Sequence, residues 1–364
     1  MYLSNAWYVA AWSNEVGRAL LERTIIDEPV VLYRKEDGTP VAIGNRCPHR
    51  FAPLNLGKLI DDIVQCPYHG LRFDESGACI HNPNGDGKIA SKARVKRYPI
   101  VEKHDLIWLW SGELELADET KIPDFSCLSD KNFRSVGGVF EVEAPYALLI
   151  DNLIDLTHAQ FLHEGTVGSD AIAGGEYELI QQGTTVYSNL WCPDGPLPPA
   201  WQPAFGGNYE KPVDQWLYMR WDAPTHMLLD VGVTPIGRPR SEGAWVYGTD
   251  ILTPKDAKTT YYFWGISQNY ALDDESQDDA WRGSIYQAFE CQDKPLLEAQ
   301  AKMMRGKSLD ELDPVLLSSD TGPVRCRRVL DKLIETQALP EPALISIAEL
   351  QNNNTNLGRI EPVV

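Results

Sequence analysis

With 364 residues, a 43% hydrophobic content and a formal net charge of −19, the chain has the make-up of an ordinary globular protein of about two domains. So acidic a balance argues against nucleic acid and an anionic membrane surface as partners. No apolar run reaches the ~20 residues of a membrane span, and no basic-then-apolar leader opens the chain. A cytoplasmic protein is expected, with Cys79, Cys127, Cys192, Cys291 and Cys326 as scattered reduced thiols.

The N-terminal part reads as short strands and turns. Trp7–Ala10, Pro29–Tyr33 and Val41–Ile43 are β-type runs, and Lys35-Glu36-Asp37-Gly38 is a hairpin turn between the last two. Gly70–Asp74 and Ala78–Ile80 flank a second turn. Val95–Val101 and the dense run Leu106–Trp110 close the domain, the latter as a fully buried strand.

Within this domain lie Cys47-Pro48-His49 and Cys66-Pro67-Tyr68-His69. Each loop offers a thiolate and an imidazole on a proline-stiffened turn. Two thiolates and two imidazoles are the donors of a Rieske [2Fe-2S] cluster, in which two His replace the thiolates on one iron. A structural Cys2His2 zinc site uses the same side chains. Zinc modules, however, usually pair Cys with Cys in one turn and His with His in another.

Acidic and proline-bearing residues from Ser111 to Phe125 place a boundary there, giving domains 1–115 and 116–350 and a polar tail 351–364. After a strand at Phe133–Val142, Leu148–His163 is apolar on nearly every side, as in a helix buried all round. Asn152, Asp155 and His158 follow one another at i, i+3 on it and so are expected to form one polar face. His158 and His163 are five apart, so a π-bulge or a helix end near Ala159 is needed to bring their rings together. Two such His with a distant carboxylate form the facial triad of non-haem Fe(II) oxygenases, although a pair of core histidines satisfied by backbone fits the sequence equally.

Residues Tyr177–Asn269 return to β patterns. Runs at Gln215–Asp222, His226–Val233, Gly243–Leu252 and Thr259–Asn269 suggest an antiparallel meander, with Trp191–Tyr209 as a long loop. Asp278–Met304 is a long helix in which Pro295 offers a place to re-aim Asp293, the candidate third iron ligand. A last helix covers Pro323–Thr336.

The chain resembles the oxygenase (α) component of Rieske non-haem iron oxygenases, in the group of vanillate O-demethylase, dicamba monooxygenase and toluenesulfonate methyl-monooxygenase. The likeness rests on Asn5–Ala10, Cys47–Leu54, Cys66–Leu71, Asp151–His158, Asp250–Pro254, Tyr262–Gly265 and Asp293. It implies an α+β fold, an all-β Rieske domain followed by a catalytic domain with an antiparallel sheet flanked by helices, in which Cys47, His49, Cys66 and His69 hold a [2Fe-2S] cluster and His158, His163 and Asp293 hold Fe(2+). It implies that Asp155 bridges a cluster His and an iron His of adjacent subunits in a homotrimer, with Asn152 close to the iron. It also implies O2 as co-substrate. No GxGxxG fingerprint is present, so a separate NAD(P)H-dependent reductase or ferredoxin supplies electrons.

On resemblance, the substrate is a methoxylated aromatic acid such as vanillate, undergoing O-demethylation or hydroxylation. Arg220, Asp230 and Asp250 are the charged candidates for substrate binding. Arg220 would grip a carboxylate, unless it is spent on a salt bridge to Asp222 or Asp230. Because of the two aspartates, a nitrogen-rich or cationic heterocycle remains an alternative. A Rieske electron carrier, which leaves His158, His163 and Asp293 without a role, and a zinc-stabilised binding protein are the other classes.

Overall fold

The computed structural model describes residues 1–163 and 168–340. The polar tail at 351–364 therefore lies outside the described residues. The chain divides into two compact units, one of Met1–Thr120 with Thr253–Ala257 and Gln337–Leu339, the other of Lys121–Leu252 and Lys258–Thr336 with Pro340.

The first unit holds ten strands: β1 (Trp7–Trp12), β2 (Leu21–Ile25), β3 (Glu28–Arg34), β4 (Pro40–Gly44), β5 (Lys58–Ile60), β6 (Ile63–Gln65), β7 (Arg72–Phe73), β8 (Cys79–His81), β9 (Ile100–Lys103) and β10 (Leu106–Trp110). They form three sheets, ordered β1-β10-β9, β2-β3-β4 and β5-β6-β7-β8. All five residues of β10 are buried, and the Trp108 and Trp110 indole N–H groups donate to the carbonyls of Lys103 and Glu113, so their polar edges are satisfied. The strand expected from Val95 is shorter and later, starting at Ile100, because Pro99 has no N–H for a ladder bond. One apolar cluster (Val31, Tyr33, Ile43, Leu54, Val64, Phe73) also contains Cys47 and Cys66.

The second unit is built on a seven-stranded sheet: β11 (Arg134–Val142), β12 (Glu176–Gln182), β13 (Thr185–Gly195), β14 (Val213–Asp222), β15 (His226–Pro235), β16 (Ala244–Pro254) and β17 (Thr260–Gln268). Its order is β11-β17-β16-β15-β14-β13-β12. The meander is there, and β11 joins it at the far edge beside the last strand. The loop expected from Trp191 is partly strand: β13 continues to Gly195 over a register shift after Cys192, which accommodates Pro193.

Among the described residues, six α-helices accompany the sheet: α1 (Tyr146–Ile154), α2 (Ala159–Leu162), α3 (Ser276–Ile285), α4 (Lys294–Met304), α5 (Leu309–Leu312) and α6 (Thr321–Thr336). The single helix expected over Leu148–His163 is instead broken at Asp155, whose ψ is 88°. The Asp155 carboxylate accepts from Thr157 N (3.0 Å) and Thr157 Oγ1 (2.6 Å), capping a new 3-10 turn over Leu156–His158. Such local side-chain bonds compete with helix continuation. The long helix Asp278–Met304 is continuous but changes winding: between α3 and α4, Tyr286–Asp293 is a π-helix.

Paired strands put alternate residues on opposite faces. Trp221, Met227 and Asp250 align on one face, with Met219, Leu229 and Gly248 beside them. Trp216, Tyr218, Arg220, Asp222, Asp230 and Tyr247 project from the other.

Candidate metal centres

The two Cys–His loops of the first unit are built alike. Cys47 N–H donates to Ala52 O (3.0 Å) while Cys47 O accepts from Phe51 N (2.9 Å). Cys66 N–H donates to Leu71 O (2.8 Å) while Cys66 O accepts from Gly70 N (3.2 Å). The fifth residue of each loop is left-handed, with φ 59° at Phe51 and 71° at Gly70. Both thiols are buried, at 1% and 2% exposure, and burial pushes the Cys47 thiol up to about 11. The imidazoles lie outward, His49 exposed and His69 half-buried, with ring centroids 4.5 Å apart.

A bound cluster fits this arrangement on two counts. Two unpaired thiols beside each other in an apolar core pay a desolvation cost as thiolates that a metal relieves. His69 Nδ1 is enclosed and has no hydrogen-bond partner, leaving one ring nitrogen for a ligand bond.

In the second unit, His158, His163 and Asp293 converge, each offering a ligand atom within 4.8 Å of the others. His158 Nε2 lies 3.2 Å from His163 Nε2 and 3.6 Å from Asp293 Oδ1, and His163 Nε2 is 3.2 Å from Asp293 Oδ2. The outer nitrogens meet acceptors: Nδ1 of His158 meets the Asp155 carbonyl, and Nδ1 of His163 meets Gln292 Oε1 at 2.9 Å. That pattern leaves both Nε2 lone pairs facing the centre, the tautomer a metal requires. Asn152 Nδ2 donates to Asp293 Oδ1 at 3.0 Å. Because α1 ends first, Asn152, Asp155 and His158 do not form one helical face. Asp155 is adjacent to His158, but its main-chain oxygen rather than its carboxylate meets the ring.

The π-helix explains Asp293. Neighbouring residues of an α-helix point about 100° apart. The wider winding turns both Gln292 and Asp293 inward, and Pro295, at the start of α4, lacks the N–H that would continue an α-helix past Cys291. Gln292 was not foreseen, since nothing in its sequence neighbourhood marks it.

Of the three charged substrate candidates, only Asp250 lies on the triad's side. Tyr262 Oη donates to Asp250 Oδ1 at 2.5 Å, and the Tyr262 ring packs 4.1 Å from Phe289 of the π-helix. Burial, opposed by that hydrogen bond and reinforced by nearby Asp293, pushes the Asp250 carboxyl up to about 6. Arg220 and Asp230 are a correction: strand alternation places them on the opposite face, already committed. Arg220 pairs with Asp222 at 2.8 Å along its own strand and donates to Asp124 O, while Asp230 holds Arg240 and the Trp216 indole N–H. The pairing weighed against substrate binding for Arg220 is thus present, within one strand rather than across two.

Residues 6–99 match the Rieske [2Fe-2S] domain, and 142–336 match the vanillate O-demethylase oxygenase C-terminal domain. The oxygenase component of dicamba O-demethylase from Stenotrophomonas maltophilia is 40% identical over 93% of this chain and 99% of its own length. The chain belongs to the vanillate O-demethylase group of Rieske non-haem iron oxygenases. The oxygenase component of chloroacetanilide N-alkylformylase from Rhizorhabdus wittichii is 36% identical, covering 95% of this chain and 99% of its own. A crystal structure of dicamba monooxygenase with non-haem iron and dicamba superposes with a TM-score of 0.80 at 38% identity, covering 92% and 98% of the two chains.

As a Rieske oxygenase component, the protein carries a [2Fe-2S] cluster and a mononuclear iron, and it works with a separate electron donor. The zinc reading and the stand-alone carrier reading both fall, because a catalytic domain follows the Rieske domain. No helix among the described residues is long and apolar enough to cross a membrane.

Proposed function

We propose that the chain oxidatively demethylates a small methoxylated aromatic compound, with Cys47, His49, Cys66 and His69 as cluster ligands and His158, His163 and Asp293 as iron ligands. The balanced reaction is R–O–CH3 + O2 + 2 e− + 2 H+ → R–OH + CH2O + H2O. When bound, the cluster supplies single electrons and the iron activates O2. The protein's own part is positional. Gln292 and the Asp155 carbonyl fix the two imidazoles, Asn152 holds one Asp293 oxygen, and Phe289, Phe140 and Tyr262 wall the site with aromatic surface.

The observation that carries this reading is the convergence of two Nε2 atoms and one carboxylate with both outer nitrogens already engaged. The assignment extends to a homotrimer in the cytoplasm, in which the Asp155 carboxylate faces a cluster His of the neighbouring subunit. The expected domain limits are 1–115 and 116–350. The test is purification followed by iron analysis and oxygen uptake with a surrogate reductase. A red-brown protein with iron beyond the two cluster atoms, releasing formaldehyde from methoxylated aromatics, is expected. A colourless protein, or one with cluster iron alone, overturns the assignment.

A further inference from the structure

We infer that Asp250, oriented by Tyr262, is a specificity-determining residue that selects a substrate presenting a cationic nitrogen and turns away ring carboxylates. The inference deepens the demethylase reading and rests on it for the position of the reacting centre. Its basis is the distribution of charge across the sheet.

The described strands project few charges to the triad's side. Asp250 is the carboxylate among them, and Arg134, at the sheet edge, is the cation. Arg134 is held by two bonds to Asp278, of 2.5 and 2.8 Å. Helix cations near this side are engaged as well, Lys294 with Glu290 at 2.7 Å and Arg327 with Asp151. The buried guanidiniums of Arg220 and Arg240 lie with the opposite face and its aspartates.

Asp250 itself is 9% exposed and forms no ion pair with a described residue. Its Oδ1 is taken by Tyr262, whose ring is wedged against Phe289, so the carboxylate has a fixed direction. Its Oδ2 lies over Gly248, 3.7 Å from where a side chain there would begin, and that residue supplies nothing to cover it. Asp293, the other carboxylate at the site, is assigned to the iron, which leaves Asp250 as the uncompensated charge. A buried carboxylate with one free oxygen lowers its free energy by meeting a cation or N–H donor and raises it by meeting another carboxylate. Phe140, Tyr262, Trp264 and Phe289 add aromatic faces, which also favour a cation.

Equilibrium binding to the holoenzyme separates the possibilities, using meta-methoxybenzylamine, meta-methoxybenzyl alcohol and meta-methoxybenzoate. The wild type is expected to bind the amine about tenfold or more tightly than the benzoate, as a charge pair in a low-dielectric site requires. Asp250→Asn keeps an oxygen for Tyr262 and removes the charge. In that variant the amine preference is expected to vanish, with the neutral alcohol changing least of the three, while cluster and iron content stay at the wild-type level, showing an intact site. Benzoate bound as tightly as the amine by the wild type, or an amine preference that survives in Asp250→Asn, overturns the inference. A probe that binds in the expected order but yields no formaldehyde with electrons and O2 overturns the demethylase reading alone.

Discussion

In the first unit, the four proposed cluster donors come from two loops of the same construction, each closed by a pair of main-chain bonds around its own cysteine. In the second unit, two histidines on a broken helix meet a carboxylate from a π-helix far along the chain. The first donor set is held by local turns. The second depends on α1, the π-helix and the sheet packing together, and its geometry is exposed to changes that never touch the metal. Local sites should therefore fail through their own loop residues, distributed ones also through their supports.

The hardest test of that contrast is Asp293→Ala. It should release the mononuclear iron and leave the cluster colour intact, with turnover falling by a factor of about 10³ or more, because a lost ligand removes the reacting centre. Iron analysis beside the visible spectrum checks it. Neither neighbouring acid is placed to substitute: Glu290 is paired with Lys294, and Glu298 accepts from Glu143 N. Retained iron and activity would break the assignment of the triad.

Next in size, Asp155→Asn should keep both metals and lower turnover about 10- to 100-fold, the range for a partner behind a ligand. Asn keeps an acceptor for Thr157, so the turn at Leu156–His158 should survive. Unchanged turnover in fully loaded protein would remove Asp155 as the bridge between adjacent subunits, and a melting-temperature drop without a turnover effect would leave it a helix stop.

Pro295→Ala restores the missing N–H and permits ordinary α winding, which would swing Asp293 off the centre. Iron affinity should fall about tenfold while the cluster is unaffected. An unchanged iron-to-cluster ratio would show that packing, not proline, sets the π-helix.

The smallest effect is expected in a loop. Gly70→Ala forces a side chain at φ 71° and brings its Cβ to 3.0 Å from Pro83 Cγ. It should destabilise the first unit by about 1–2 kcal/mol, the cost of left-handed backbone, and thermal melting monitored by cluster absorbance checks it. Phe51 already bears the same backbone conformation, so a neutral Gly70→Ala would mean that both loops tolerate it equally.

Much of this architecture was legible from residues alone. Short β runs between turn signals marked most strands, and the repeated Cys-then-His order marked the first centre, because its donors are near in sequence and turn chemistry is local. His158, His163 and Asp293 were also legible as residues. Their convergence was expected through a bulge or helix end near Ala159 and a re-aiming at Pro295, but not that Asp155 itself stops α1 or that the helix widens over Tyr286–Asp293. Gln292 carried no sequence signal at all. Arg220 and Asp230 looked as available as Asp250 because alternation tells which residues share a face, not which face meets the helices. That choice is made when β11 closes onto β17 and one side of the sheet receives the helices. A one-residue change of register would exchange every inward and outward side chain, so the sign of charge beside the iron was settled only by the packed sheet.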